Sequence, residues 1–128
     1  MAKIKSKKHD NRAVKAARKY LEQIQEEYEI VGSYNYDSYL DIFDMVALNN
    51  GELAFIQVRR YDNCFPGEAG MGKIGPKRRA RMETALYRWL GWHDDYLDMG
   101  VRFDVIDVFV VNNDKAIIRH HINAGKEY

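Results

Sequence analysis

An Asn-Gly pair set between two apolar runs is the strongest local constraint in this chain of 128 residues. Leu40-Asp41-Ile42-Phe43-Asp44-Met45-Val46-Ala47 precedes Asn50-Gly51, and Leu53-Ala54-Phe55-Ile56-Gln57-Val58-Arg59-Arg60 follows it. With Asn50 and Gly51 as the central residues of a type I′ turn, the runs pair as antiparallel strands. Asp44 then stands across from Gln57, and Ile42 across from Arg59. All four share one face, while the period of two sends Asp41 to the other.

That face has the layout of a metal-dependent nuclease site in which an aspartate precedes a Glu-x-Lys strand. Gln57 stands where a metal-binding carboxylate belongs, and Arg59 where a catalytic lysine belongs. Phosphodiester hydrolysis through Mg²⁺ needs carboxylates to fix the hard cation and a cationic group near the developing charge. Asp44 alone supplies an anionic ligand, and an amide oxygen attracts a divalent cation far less strongly. Arginine is a permanent cation, able to stabilise phosphate charge but not to act as a base. From Arg59 the guanidinium is also expected to reach diagonally toward Asp44 and take the metal's place.

Length and a hydrophobic content of 46% suit one α/β domain. The expected organisation is a basic flexible tail over residues 1–9 and a single domain over 10–128. Helices are expected from Asn11 to Glu27 and from Pro76 to Leu90, each with an apolar stripe at helical spacing. Tyr28 to Tyr36 reads as a first strand with Gly32 as a bulge, and Val101 to Val111 and Lys115 to Ile122 as a second pair turning at Asn112-Asn113-Asp114. The whole is an α/β fold with a mixed central sheet of about five strands flanked by helices.

A net charge of +1 conceals segregation: Lys3 to Lys19 holds eight basic residues and one acid, and Lys73 to Arg88 six basic and one acid. Lys73, Lys77, Arg78, Arg79 and Arg81 gather at the entrance of the second helix, with Arg88 further along, where cations and a helix N-terminus meet phosphates well. Tyr34, Tyr36, Tyr39 and Tyr61 are candidates to stack on bases or to pack on the sheet. The single cysteine, Cys64, excludes an internal disulfide and fits a reducing, cytoplasmic setting as a small loop residue. No apolar stretch approaches the roughly 18 residues of a membrane span.

Other motifs carry less. Gly67-Glu68-Ala69-Gly70-Met71-Gly72-Lys73 has the spacing of a phosphate loop, but Ile74 replaces the required Ser or Thr. His120 and His121 adjoin on an expected strand and so point to opposite faces, which leaves them no shared metal and reads as one surface and one packed histidine. His9 and His93 are isolated.

The order of short motifs resembles the YraN-type family of small predicted endonucleases, related to Holliday-junction resolvases and sharing the PD-(D/E)XK nuclease fold. The matching pieces are Ala17-x-x-Tyr20-Leu21, Tyr34-Asn35-Tyr36, Asp44-Met45-Val46-Ala47, Phe55-Ile56-Gln57-Val58-Arg59, Lys77-x-Arg79, Trp89-Leu90, Arg102-Phe103-Asp104-Val105 and, at the end, His121-Ile122-x-Ala124. Against the family's pattern, Ala13 and Val14 replace a Gly-Glu pair, Ile42 an acid, Gln57 a glutamate and Arg59 a lysine. Of the expected acidic and lysine positions only Asp44 survives.

The resemblance implies a restriction-endonuclease-like domain with a degenerate catalytic set of Asp44, Gln57 and Arg59, and Asp44 as its one weak metal ligand. It implies nucleic-acid contacts at Lys73, Lys77, Arg78, Arg79 and Arg81, with DNA or other nucleic acid as partner, no membrane, and a homodimer left open. No cofactor is expected unless the site is active, when it takes Mg²⁺ or Mn²⁺. The leading expectation is a nucleic-acid-binding protein with cleavage weakened or lost. An active Mg²⁺-dependent endonuclease or resolvase is the first alternative, and a non-catalytic protein-interaction module on the same fold the second.

Overall fold

The computed structural model describes residues 12–24, 27–33, 42–62 and 74–124. The tail, Asp41, Cys64, Lys73, the glycine-rich loop before it, and Tyr34, Tyr36 and Tyr39 lie outside these residues. Helix α1 (Arg12–Gln23) is followed by β1 (Glu29–Ser33), β2 (Met45–Asn49) and β3 (Glu52–Asp62). Helix α2 (Pro76–Trp92) and a 3₁₀ turn (Asp94–Tyr96) lead to β4 (Gly100–Asn112) and β5 (Lys115–His121). The strands form one five-stranded sheet in chain order, antiparallel throughout except for the parallel pair β3 and β4.

Local chemistry accounts for the turns. Asn50 and Gly51 take φ of 53° and 78°, the left-handed conformations that a type I′ turn requires and that these two residues tolerate best. Met45 consequently pairs with Ile56 and Val46 with Phe55, the register expected from sequence. The first strand is shorter than expected within the described residues, and its pairing with β2 slips between Ile30 and Gly32. Gly32 also makes room for a side chain: a Cβ there would lie 3.1 Å from the Trp89 indole nitrogen.

Helix α1 ends at Gln23, earlier than expected, while α2 runs two residues past Leu90 to Trp92. Pro76 occupies the first turn of α2, where its missing N–H costs nothing. Each helix covers one side of the sheet. Ala13, Ala17 and Leu21 of α1 pack on Met45, Ala47, Ala54, Ile56, Val58, Ile106 and Val108. On the other side Met82, Ala85, Leu86 and Trp89 of α2 pack on Val46, Leu53, Phe55 and Phe103, joined by Ile42 and Phe43 from the segment before β2. Strict alternation along β3 therefore assigns Gln57 and Arg59 to the α2 side. Among the described residues no helix is long and apolar enough to cross a membrane.

Candidate functional site

The α2 side of β3 carries a row of polar groups at the end where its apolar contacts with the helix stop. Asp44 stands one residue before β2, at a bend, with its N–H donating to the Ile56 carbonyl at 2.8 Å. Its Oδ2 accepts the Val58 backbone N–H at 2.7 Å, so a carboxylate takes the place where a strand carbonyl would continue the ladder. The sequence reading treats Asp44 as a regular strand partner of Gln57. The bend instead turns Asp44 into a cap on β3 immediately beside Gln57, with both residues buried.

Gln57 and Arg59 each meet a partner that their own hairpin does not supply. Arg78, in the first turn of α2, donates from Nη1 to Gln57 Oε1 at 3.0 Å. Arg59 donates from Nε to Asp107 Oδ1 at 2.9 Å and from Nη2 to Asp107 Oδ2 at 3.3 Å, a fork-on-carboxylate contact. The expectation for Arg59 looked only to Asp44 across the hairpin; the parallel register also sets Arg59 directly beside Asp107. His121 approaches the same carboxylate, with Nε2 at 3.0 Å from Oδ2. Asp107 is wholly buried, whereas the Arg59 and His121 side chains keep 18% and 23% of their surface in solvent.

On the α1 side the same strands hold a second buried network. Arg102 donates from Nε to Asp104 Oδ1 at 3.0 Å, from Nη2 to Tyr28 Oη at 2.9 Å and Asn49 Oδ1 at 3.0 Å, and from Nη1 to Glu52 Oε1 at 3.1 Å. Asp104 also accepts the Asn123 N–H at 2.9 Å and lies 2.8 Å from His120 Nε2. A neutral His120 that donates from Nε2 leaves Nδ1 to accept from the Tyr20 hydroxyl, 3.1 Å away. Burial by itself pushes Asp104 upward, but the bonds from His120, Arg102 and Asn123 outweigh it and hold the carboxyl below its usual range. Burial likewise pushes the Tyr28 hydroxyl up. These groups satisfy one another deep in the layer and serve the fold.

The two histidines thus diverge as expected, but both reach buried aspartates; neither is a plain surface residue. Sequence reasoning missed Asp107 and His121 as members of the site. The available signal was Asp104 and Asp107 interrupting the apolar run from Phe103 to Val111 at an odd spacing, which demands a polar partner on each face.

Lys77, Arg78, Arg81 and Arg88 are exposed on α2, and Arg79 is half-buried with its Nε 3.7 Å from Glu83. Arg78 turns in to the row. Val14 packs against the α1-side cluster, across the sheet from Gln57. Ile42 is buried on the α2 side.

No family model matches the chain, and no curated protein matches it. The donor set is a poor fit for Mg²⁺ or Mn²⁺: Asp44 already bonds to a backbone N–H, Gln57 is a neutral amide bonded to Arg78, and the Asp107 carboxylate is taken up by Arg59 and His121. Among the described residues no group of three or more His, Cys, Asp or Glu side chains could hold a metal ion. Inside the row the Arg59 charge is met by Asp107, so the cations left to meet an anion are those exposed at the start of α2, Lys77 and Arg78.

Proposed function

We propose that this protein binds nucleic acid on a PD-(D/E)XK nuclease-like domain whose metal-dependent cleavage is weakened or lost. The observation that carries the reading is the replacement of a cation-binding set by guanidinium contacts: Arg78 on Gln57 and Arg59 on Asp107. A helix, three antiparallel strands, a helix and a parallel fourth strand, in that order, support the nuclease-like class together with the motif order of the sequence. Arg78 links the row to the exposed Lys77 and Arg81, so a phosphate chain lying on α2 would pass over Gln57.

The test incubates the purified protein with branched, duplex and single-stranded DNA, with Mg²⁺ or Mn²⁺, beside an Asp44→Ala control. Binding that weakens steeply with salt, with little or no cleavage, is the expected result. Cleavage by the parent protein that the control lacks would establish an active endonuclease instead. Failure to bind any nucleic acid at low salt would leave a protein-interaction module as the better account.

A further inference from the structure

Helix α2 arranges its exposed charges by flank. At 3.6 residues per turn, Lys77, Arg81, Arg88 and Trp92 fall within an arc of about 60°, adjoining the flank from which Arg78 reaches Gln57. The acid of this helix, Glu83, lies on the opposite flank beside Arg79. The stripe runs about 22 Å from Lys77 to Trp92 at about 1.5 Å per residue. It ends on an indole that is 64% exposed. Trp89, one turn earlier, is fully buried between Phe55 and His93.

Resting on the nucleic-acid reading above, we infer that this flank is a track for a single strand, with phosphates along Lys77, Arg81 and Arg88 and an unpaired base stacked on Trp92. The charge pattern selects a polyanion laid along the helix axis. The terminal aromatic selects the single-stranded form, because the bases of a duplex are stacked on one another and present only their edges, whereas a single strand offers a free base face. Both features belong to one surface, and the Gln57–Arg78 contact sets its inner end.

Of the two tryptophans in the chain Trp89 is buried, so quenching caused by a bound strand reports chiefly on Trp92. Titration with a short oligothymidylate should quench it, and a duplex should not. Trp92→Ala should weaken single-strand affinity roughly tenfold or more with the salt slope retained, and Trp92→Phe should restore most of the loss. Arg88→Ala should lower the salt slope by about one phosphate contact. Tyr87→Ala, on the other flank, should change neither, and circular dichroism checks that each variant is folded. Single-strand binding that persists unaltered in Trp92→Ala, or equal binding of duplex without quenching, would overturn the track while leaving the nucleic-acid reading in place. Absence of binding to every nucleic acid overturns both.

Discussion

Arg59 and Asp107 lie side by side on the parallel strands β3 and β4, with Nε 2.9 Å from Oδ1 and Nη2 3.3 Å from Oδ2. The pair joins the N-terminal hairpin to the C-terminal strands on the side of the sheet where the α2 cover ends. It commits the Arg59 guanidinium to a buried carboxylate within the sheet, which makes this residue part of the scaffold.

The two halves of this pair should respond unequally to removal. Arg59→Ala leaves a wholly buried carboxylate with His121 and should cost about 3 kcal/mol. Asp107→Ala leaves a guanidinium that already touches solvent and should cost about 1–2 kcal/mol. Urea denaturation of both variants measures the difference, and equal losses would contradict the burial argument.

Metal response should depend on several groups together. Wild-type protein should show little thermal shift in millimolar Mg²⁺ or Mn²⁺, since Asp44, Gln57 and Asp107 are each already bonded to protein groups. The triple variant Ile42→Glu, Gln57→Glu and Arg59→Lys should gain a metal-dependent rise in Tm that disappears when Asp44→Ala is added. Val14 is left unchanged because it packs across the sheet from this row. A large rise in wild type that Asp44→Ala abolishes would show that the surviving ligands suffice.

Acid stability should follow Asp104. Its folded-state carboxyl is held below the ordinary value of about 3.9, so the folded state binds its proton more weakly than the unfolded chain does. The resulting stability is fully present above the unfolded value and is lost as pH falls through that range to the depressed one. Asp104→Asn should therefore cost about 3 kcal/mol near neutral pH, with the gap to wild type narrowing below about pH 4. A gap independent of pH, measured by denaturation at several pH values, would remove Asp104 as the source.

Gly32→Ala should destabilise by about 1–2 kcal/mol. The new Cβ would meet Trp89 Nε1 at 3.1 Å and Cζ2 at 3.3 Å. Trp89 has little freedom to yield, being stacked on His93 at 3.9 Å between ring centroids and held edge-on against Phe55. The companion Gly91→Ala, with open space at its Cβ in the helix, should be neutral or mildly stabilising, as a lowered or raised Tm would show.

The sequence by itself determined what short-range physics controls. Asn50-Gly51 specified the turn and register, so Met45 meets Ile56 and Gln57 takes the face of Phe55. The helical stripes specified Ala13, Ala17 and Leu21 on one helix and Met82, Ala85, Leu86 and Trp89 on the other. Tertiary structure decided who meets the polar groups. Parallel pairing of β3 with β4 joins residues far apart in the chain, and no local rule sets that register, so Asp107 as the partner of Arg59 was not legible. The histidines depended on a single residue: the pairing of β4 with β5 slips between Val110 and Asn112. Without that slip His120 would face Asp107; with it, Val105 opposes His121, which comes to Asp107 while His120 turns to Asp104. A one-residue change of register moves every later side chain to the other face, so the composition of the site rests on a bulge that apolar periodicity does not mark.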